Sequence, residues 1–163
     1  MVQPLLKTRE TLLSFLDDCL GRGNATAVVS RRGLRRVEWS SAEVAKNAFQ
    51  FARELEARRI SRGDRVLFWG ENGAEWIAAF FGCLLRGVVV VPLDLKSAPD
   101  FVDRVQQQVS AKLLLTDQTE TRIEIPVITF SKFTDLIHKH SDEAYVSTGI
   151  TPDDLVEIVF TSG

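Results

Sequence analysis

The sequence predicts an α/β fold, a mainly parallel layered sheet with flanking helices and an early β-hairpin, and three observations carry that expectation. From Arg65 onward, short β-branched runs alternate with segments of helical apolar spacing, the pattern of consecutive βαβ units. Val88-Val89-Val90-Val91 is apolar without interruption, as a strand covered on both faces has to be. Near the start, two short β-like runs flank a glycine-bearing turn, which reads as a hairpin packed at the edge. With 163 residues, 45% of them hydrophobic and ten of them Phe, the chain is long enough to bury one core, and a single domain over 1–163 is expected.

The elements follow in chain order. Leu12, Leu13, Leu16 and Leu20 stand at helical spacing and predict an amphipathic helix over 8–20 that ends at Gly21. Gly21-Arg22-Gly23-Asn24-Ala25-Thr26 has a superficial likeness to a dinucleotide fingerprint. It follows a helix and precedes a strand, the reverse of the order that chemistry needs, so it is read as a loop. The runs 25–30 and 36–39 are the hairpin strands. Arg31, Arg32, Arg35 and Arg36 at its tip read as solvated, because no aromatic residues interleave with them and no second basic cluster supports a nucleic-acid surface.

Ser40 and Glu43 form a capping box, and Val44, Ala48, Phe51, Ala52 and Leu55 recur on one face of a helix running to about Arg59. Arg62-Gly63-Asp64 turns into a buried strand over 65–70. Asn72 and Glu75 repeat the capping pattern before a helix that is apolar nearly all round from Trp76 to Leu85. Cys83 lies within it and is expected to be a packed thiol. Arg86-Gly87 ends that helix and 88–94 is the next strand, so 64–94 is a βαβ unit.

Ser97 is expected to cap a helix with Pro99 in its first turn and Phe101, Val102, Val105 and Val109 on its buried side. The runs 111–116 and 125–130 are further strands, and Ser131 opens a short helix through Ile137. His138-Lys139-His140-Ser141-Asp142-Glu143 holds metal-ligand residue types but reads as solvated loop after a helix end, and no metal site is expected. A last strand, 155–160, then empties into Thr161-Ser162-Gly163.

That final stretch is where the chemistry is expected. Outside a parallel strand, small hydroxyl residues and unshielded backbone N–H groups can converge on an anion with no Cβ in the way. The run from Asp153 to Gly163 resembles the opening of the signature loop of the adenylate-forming superfamily: acyl-CoA synthetases, aryl-acid ligases, luciferases and peptide-synthetase adenylation domains. In that family the loop continues through Ser/Thr/Gly residues to Pro-Lys-Gly. Leu84 to Asp94 is similar to a second early motif of the family, in which a helix end and glycine lead into a valine-rich strand closing on Pro and Asp. That motif is structural, so no catalytic role passes to Asp94.

The resemblance implies an acid-thiol ligase. A carboxylate attacks the α-phosphorus of ATP with Mg²⁺ present, pyrophosphate leaves, and the acyl-adenylate is captured by coenzyme A. It implies that the Thr161 and Ser162 hydroxyls bond phosphate oxygens and that Gly163 lets the backbone approach them. No catalytic residue and no metal ligand falls within these residues. The chain then reads as an N-terminal subdomain truncated inside its phosphate-binding loop, inactive and without tight ligand binding alone, with self-association through the surface so exposed. The wording of 88–94 followed by an amphipathic helix looks more like fatty and general acyl-CoA ligases than amino-acid adenylation domains. The alternative is a non-catalytic α/β interaction or regulatory module.

Composition excludes other classes. A net charge of −2 and a pI near 5.7 argue against a protein that works by neutralising nucleic-acid phosphates, although basic residues dominate before Arg65 and acidic ones after Leu115. Two widely separated cysteines suggest neither a disulfide framework nor a metal knuckle, and a reducing cytoplasm fits. The first residues lack the pattern of a secretory signal, and the longest apolar stretch, 77–85, is too short to span a bilayer.

Overall fold

The computed structural model describes residues 11–32, 35–119 and 121–160. The chain runs α1 (Ser14–Arg22), the hairpin β1 (Thr26–Arg32) and β2 (Arg35–Ser40), α2 (Ser41–Ala57), β3 (Arg65–Trp69), α3 (Ala74–Arg86), β4 (Val89–Leu93), α4 (Pro99–Val109), β5 (Leu113–Thr116) and β6 (Val127–Ile128). A 3-10 turn, Phe130–Lys132, then leads into α5 (Phe133–Ile137). Strands β4-β3-β5-β6 lie side by side in that order, and each adjacent pair is parallel. The hairpin is a separate antiparallel ribbon. The α/β class, the parallel sheet and the early hairpin are therefore all present.

Successive side chains of a strand point to opposite faces, and both faces here are covered. Val66 and Phe68 of β3 pack with Phe51 and Leu55 of α2 and Ala78, Ala79 and Cys83 of α3. Leu67 and Trp69 pack instead with Val102, Val105 and Val109 of α4. That is why the strands read as continuous apolar runs. A second layer sits outside α2, where Leu16 of α1 meets Ala45, Ala48, Phe49 and Ala52. Helix α2 is thus buried on two sides, and α3 crosses it closely at Gly82. A Cβ there would stand 2.8 Å from Phe51 Cδ1 and 3.0 Å from the Ala48 carbonyl oxygen.

Several element ends differ from expectation for local reasons. Helix α1 continues through Gly21 and stops at Gly23, which takes the positive φ of 55°. The Ser40 capping box forms as expected, with the Glu43 N–H donating to Ser40 Oγ at 3.2 Å and the Ser40 N–H to Glu43 Oε2 at 2.7 Å. Asn72 does not cap α3; the N-cap is Gly73, without a side-chain bond. Ala98 rather than Ser97 is the N-cap of α4, with Pro99 in the first turn as predicted. Gly87 ends α3 in the left-handed region at φ 64°, where a side chain would strain the backbone and meet Ile150. Cys83 is fully buried, and that burial pushes its thiol pKa up.

Candidate functional site

The terminal run 155–160 was expected to be a full strand, and it makes a single parallel bridge, Glu157 opposite Val90 on the free edge of β4. The Val90 N–H donates to the Val156 carbonyl at 2.9 Å, and the Ile158 N–H donates to the Val90 carbonyl at 3.0 Å. In a parallel ladder the next donor on the same side of β4 is two residues on, at position 92. Position 92 is proline and has no N–H to give, which explains why the pairing stops after one bridge.

Register nevertheless fixes where the run points. Glu157 is opposite Val90, Val90 opposite Val66, and Val66 opposite Leu113. Leu93, Trp69 and Thr116 stand in one row at the carboxyl ends of β4, β3 and β5, and Phe160 packs against the cluster that holds Leu93 and Trp69. Phe160 packs there against Phe101 in the first turn of α4, with ring centroids 6.4 Å apart and planes at 85°. Alternation holds along the run: Val156, Ile158 and Phe160 are half-buried, whereas Leu155 and Val159 are exposed. Thr161, Ser162 and Gly163, the residues expected to meet phosphate, lie outside the described residues.

What brings the run to this edge is a long irregular strap, 138–154, fastened by side chains that the sequence reading passed over. Gln50 Nε2 of α2 donates to the His140 carbonyl at 2.8 Å. Arg53 Nη1 donates to the carbonyls of Ser141 at 3.0 Å and Glu143 at 2.8 Å, and its guanidinium lies 5.4 Å from the centre of the Tyr145 ring. Glu54 is only 2% exposed and gathers three groups: Arg58 Nε at 2.7 Å, Lys139 Nζ at 2.9 Å and His140 Nε2 at 2.6 Å. Burial pushes its carboxyl up, but the hydrogen bonds from Lys139, His140 and Arg58 outweigh that and hold it below the usual carboxylate range.

Further along, Arg86 Nη1 donates to the Tyr145 hydroxyl at 2.8 Å and Ser147 Oγ to the Leu85 carbonyl at 2.8 Å. Arg62 donates to the Gly149 carbonyl at 2.6 Å and pairs with Asp154. The Thr151 N–H, followed by Arg62, holds the Asp154 carboxyl below its ordinary range. The run His138–Glu143 is therefore engaged in fastening: Lys139 and His140 serve Glu54, and Asp142 pairs with Lys46 at 2.9 Å. The signal for this was a charged residue, Glu54, set between Phe51 and Leu55 on the buried face of a helix.

At the carboxyl ends of β3 and β5 lies a cleft of about 640 Å³, lined by Gly70, Asn72, Trp76, Gln118 and Ser131 and walled on one side by Arg31 of the hairpin. In layered parallel sheets, ligands bind outside the carboxyl ends of strands where the following helices diverge to opposite faces. That condition is met at β3 and β4, since α3 packs on one face and α4 on the other. Among the described residues no three His, Cys, Asp or Glu side chains gather closely enough to hold a metal ion.

The sequence model of the AMP-binding enzyme family matches residues 15–163. The chain is 31% identical over 111 residues to the 3-hydroxybenzoate–CoA/4-hydroxybenzoate–CoA ligase of Thauera aromatica, covering 64% of this chain and 20% of that protein. It is 29% identical over 147 residues to a fatty acid–[acyl-carrier-protein] ligase of Mycobacterium marinum, covering 80% of this chain and 28% of that one. Among solved structures, VinN bound to L-aspartate superposes with a TM-score of 0.80 at 22% identity, covering 94% of this chain and 45% of that chain. The chain thus spans less than half the length of each of these proteins.

Proposed function

Because the chain belongs to the AMP-binding enzyme family, we propose that it is the N-terminal part of an ATP-dependent acid-thiol ligase, with residues 1–163 forming one subdomain. The observation that carries this reading is the position of Phe160, which packs against Phe101 at the start of α4, beside the carboxyl end of β4. In the proposed reaction a carboxylate oxygen bonds to the α-phosphorus of ATP as the bond to the pyrophosphate oxygen breaks. A thiol sulfur, that of coenzyme A, then bonds to the acyl carbon and AMP leaves with the electron pair.

The part this chain takes is to hold and orient. The Thr161 and Ser162 hydroxyls donate to phosphate oxygens, and Gly163 allows backbone N–H groups to approach them. Such fixed donors stabilise charge that develops during in-line attack. Mg²⁺ would neutralise phosphate charge, with ligands supplied from outside the described residues. The named relatives act on hydroxybenzoates and on a fatty acid. Within that range we favour a fatty or general acyl acid, with coenzyme A as acceptor, in the cytoplasm. No helix among the described residues is long and apolar enough to cross a membrane.

The isolated chain is expected to release no pyrophosphate from ATP with any of a panel of fatty, aryl and amino acids. Turnover above the no-enzyme rate would contradict this. The coding sequence after Gly163 is expected to continue through Ser/Thr/Gly residues to Pro-Lys-Gly. The longer product should release pyrophosphate with one acid class, and Thr161→Val with Ser162→Ala should lower that rate about 10²-fold, the loss typical of removing preorganised donors.

A further inference from the structure

We propose that the β1–β2 hairpin carries an anion clamp, in which Arg31, at the wall of the rim cleft, and Arg36, opposite it in the hairpin register, grip a phosphate group of a small phosphorylated ligand. The hairpin register sets Arg31 directly opposite Arg36 and Arg32 directly opposite Arg35. Like charges directly opposite each other, as Arg31 and Arg36 are, destabilise a two-stranded ribbon. A bound anion between them reverses the sign of that interaction.

Arg31 and Arg36 share the solvent-facing side of the ribbon with Glu38, which pairs with Arg36 Nε at 2.5 Å. Among the described residues Arg31 has no carboxylate partner, and it lines the cleft beside Asn72 and Ser131. All four cations at the tip are arginine. Charges placed only to protect a sheet edge favour lysine, whereas the planar guanidinium fork matches phosphate oxygens two at a time. The ligand is small because the basic surface is short. Glu71 and Asp117 line the same cleft and would repel a long polyanion laid across it. The clamp shares no residue with the run 161–163, so its failure leaves the reading of that loop untouched.

The test is a titration of the ¹⁵N-labelled chain with inorganic pyrophosphate, read at the arginine Nε–H signals. We expect saturable shifts at Arg31 and Arg36 with a dissociation constant of about 1 mM or tighter at low salt. Arg31→Gln with Arg36→Gln should weaken binding about tenfold or more while circular dichroism stays unchanged, since both side chains are exposed. Three results would overturn the clamp: no shift at about 10 mM pyrophosphate, binding unaltered in the double variant, or shifts produced only by single-stranded DNA or by anionic lipid vesicles.

Discussion

At the scale of single residues, two positions bear more of the fold than their chemistry suggests. Gly82 lets α3 lie against α2, and a methyl group there would meet the backbone of Ala48 as well as the Phe51 ring, so the helices would have to move apart. Gly82→Ala should destabilise the chain by about 1–3 kcal/mol despite its better helix propensity, read as a lower urea midpoint with an unchanged slope. Glu54 is the second. Its folded carboxyl lies below the unfolded value of about 4.3, so the unfolded chain takes up a proton first as pH falls. Its contribution is complete above about pH 5 and fades as pH drops through the folded value. Glu54→Gln should cost about 1–2 kcal/mol at pH 7 and flatten the acid limb of the stability curve below about pH 5. An acid limb as steep as that of the wild type would assign it to other carboxylates.

At the scale of elements, the strap and the terminal run behave as a fastened pair. Arg62 holds Gly149 and Asp154 just before the run begins. Arg62→Ala should raise hydrogen exchange at the Ile158 amide about tenfold or more, while the amides of β3 stay protected, because only the edge pairing depends on the strap. Equal loosening of β3 and Ile158 would mean that Arg62 supports the whole sheet. The elements that were legible in the sequence were those with a strong local cause. The Ser40–Glu43 box, the valine run of β4 and the Gly87 stop all stand where the residues said. What escaped was set by distant partners. Nothing near His140 announces that it meets Glu54, 86 positions earlier. The single bridge at Glu157 had a visible cause in Pro92, but its effect appears only once the two segments are known to be neighbours. Likewise nothing near Arg62, Arg53 or Arg86 announces the strap that each of them holds.

At the scale of the molecule, the sheet, the strap and the hairpin serve one arrangement. Parallel strands sealed on both faces give a rigid row of carboxyl ends, the strap carries the last residues to the edge of that row, and the hairpin walls the cleft beside it. Leu155 and Val159 are exposed on the outer side of the run. Family membership explains why such a scaffold recurs among ligases of different acids. The most direct measurement is a nitroxide at Ser162→Cys in a Cys19→Ser background, with Cys83 buried and unlabelled. If residues 161–163 stand over the ligand-facing rim, the label will broaden the amides of Glu71, Leu95 and Gln118 and leave those of Gly63 and Lys112 sharp. Broadening of Gly63 and Lys112 instead, or of neither group, would contradict the account.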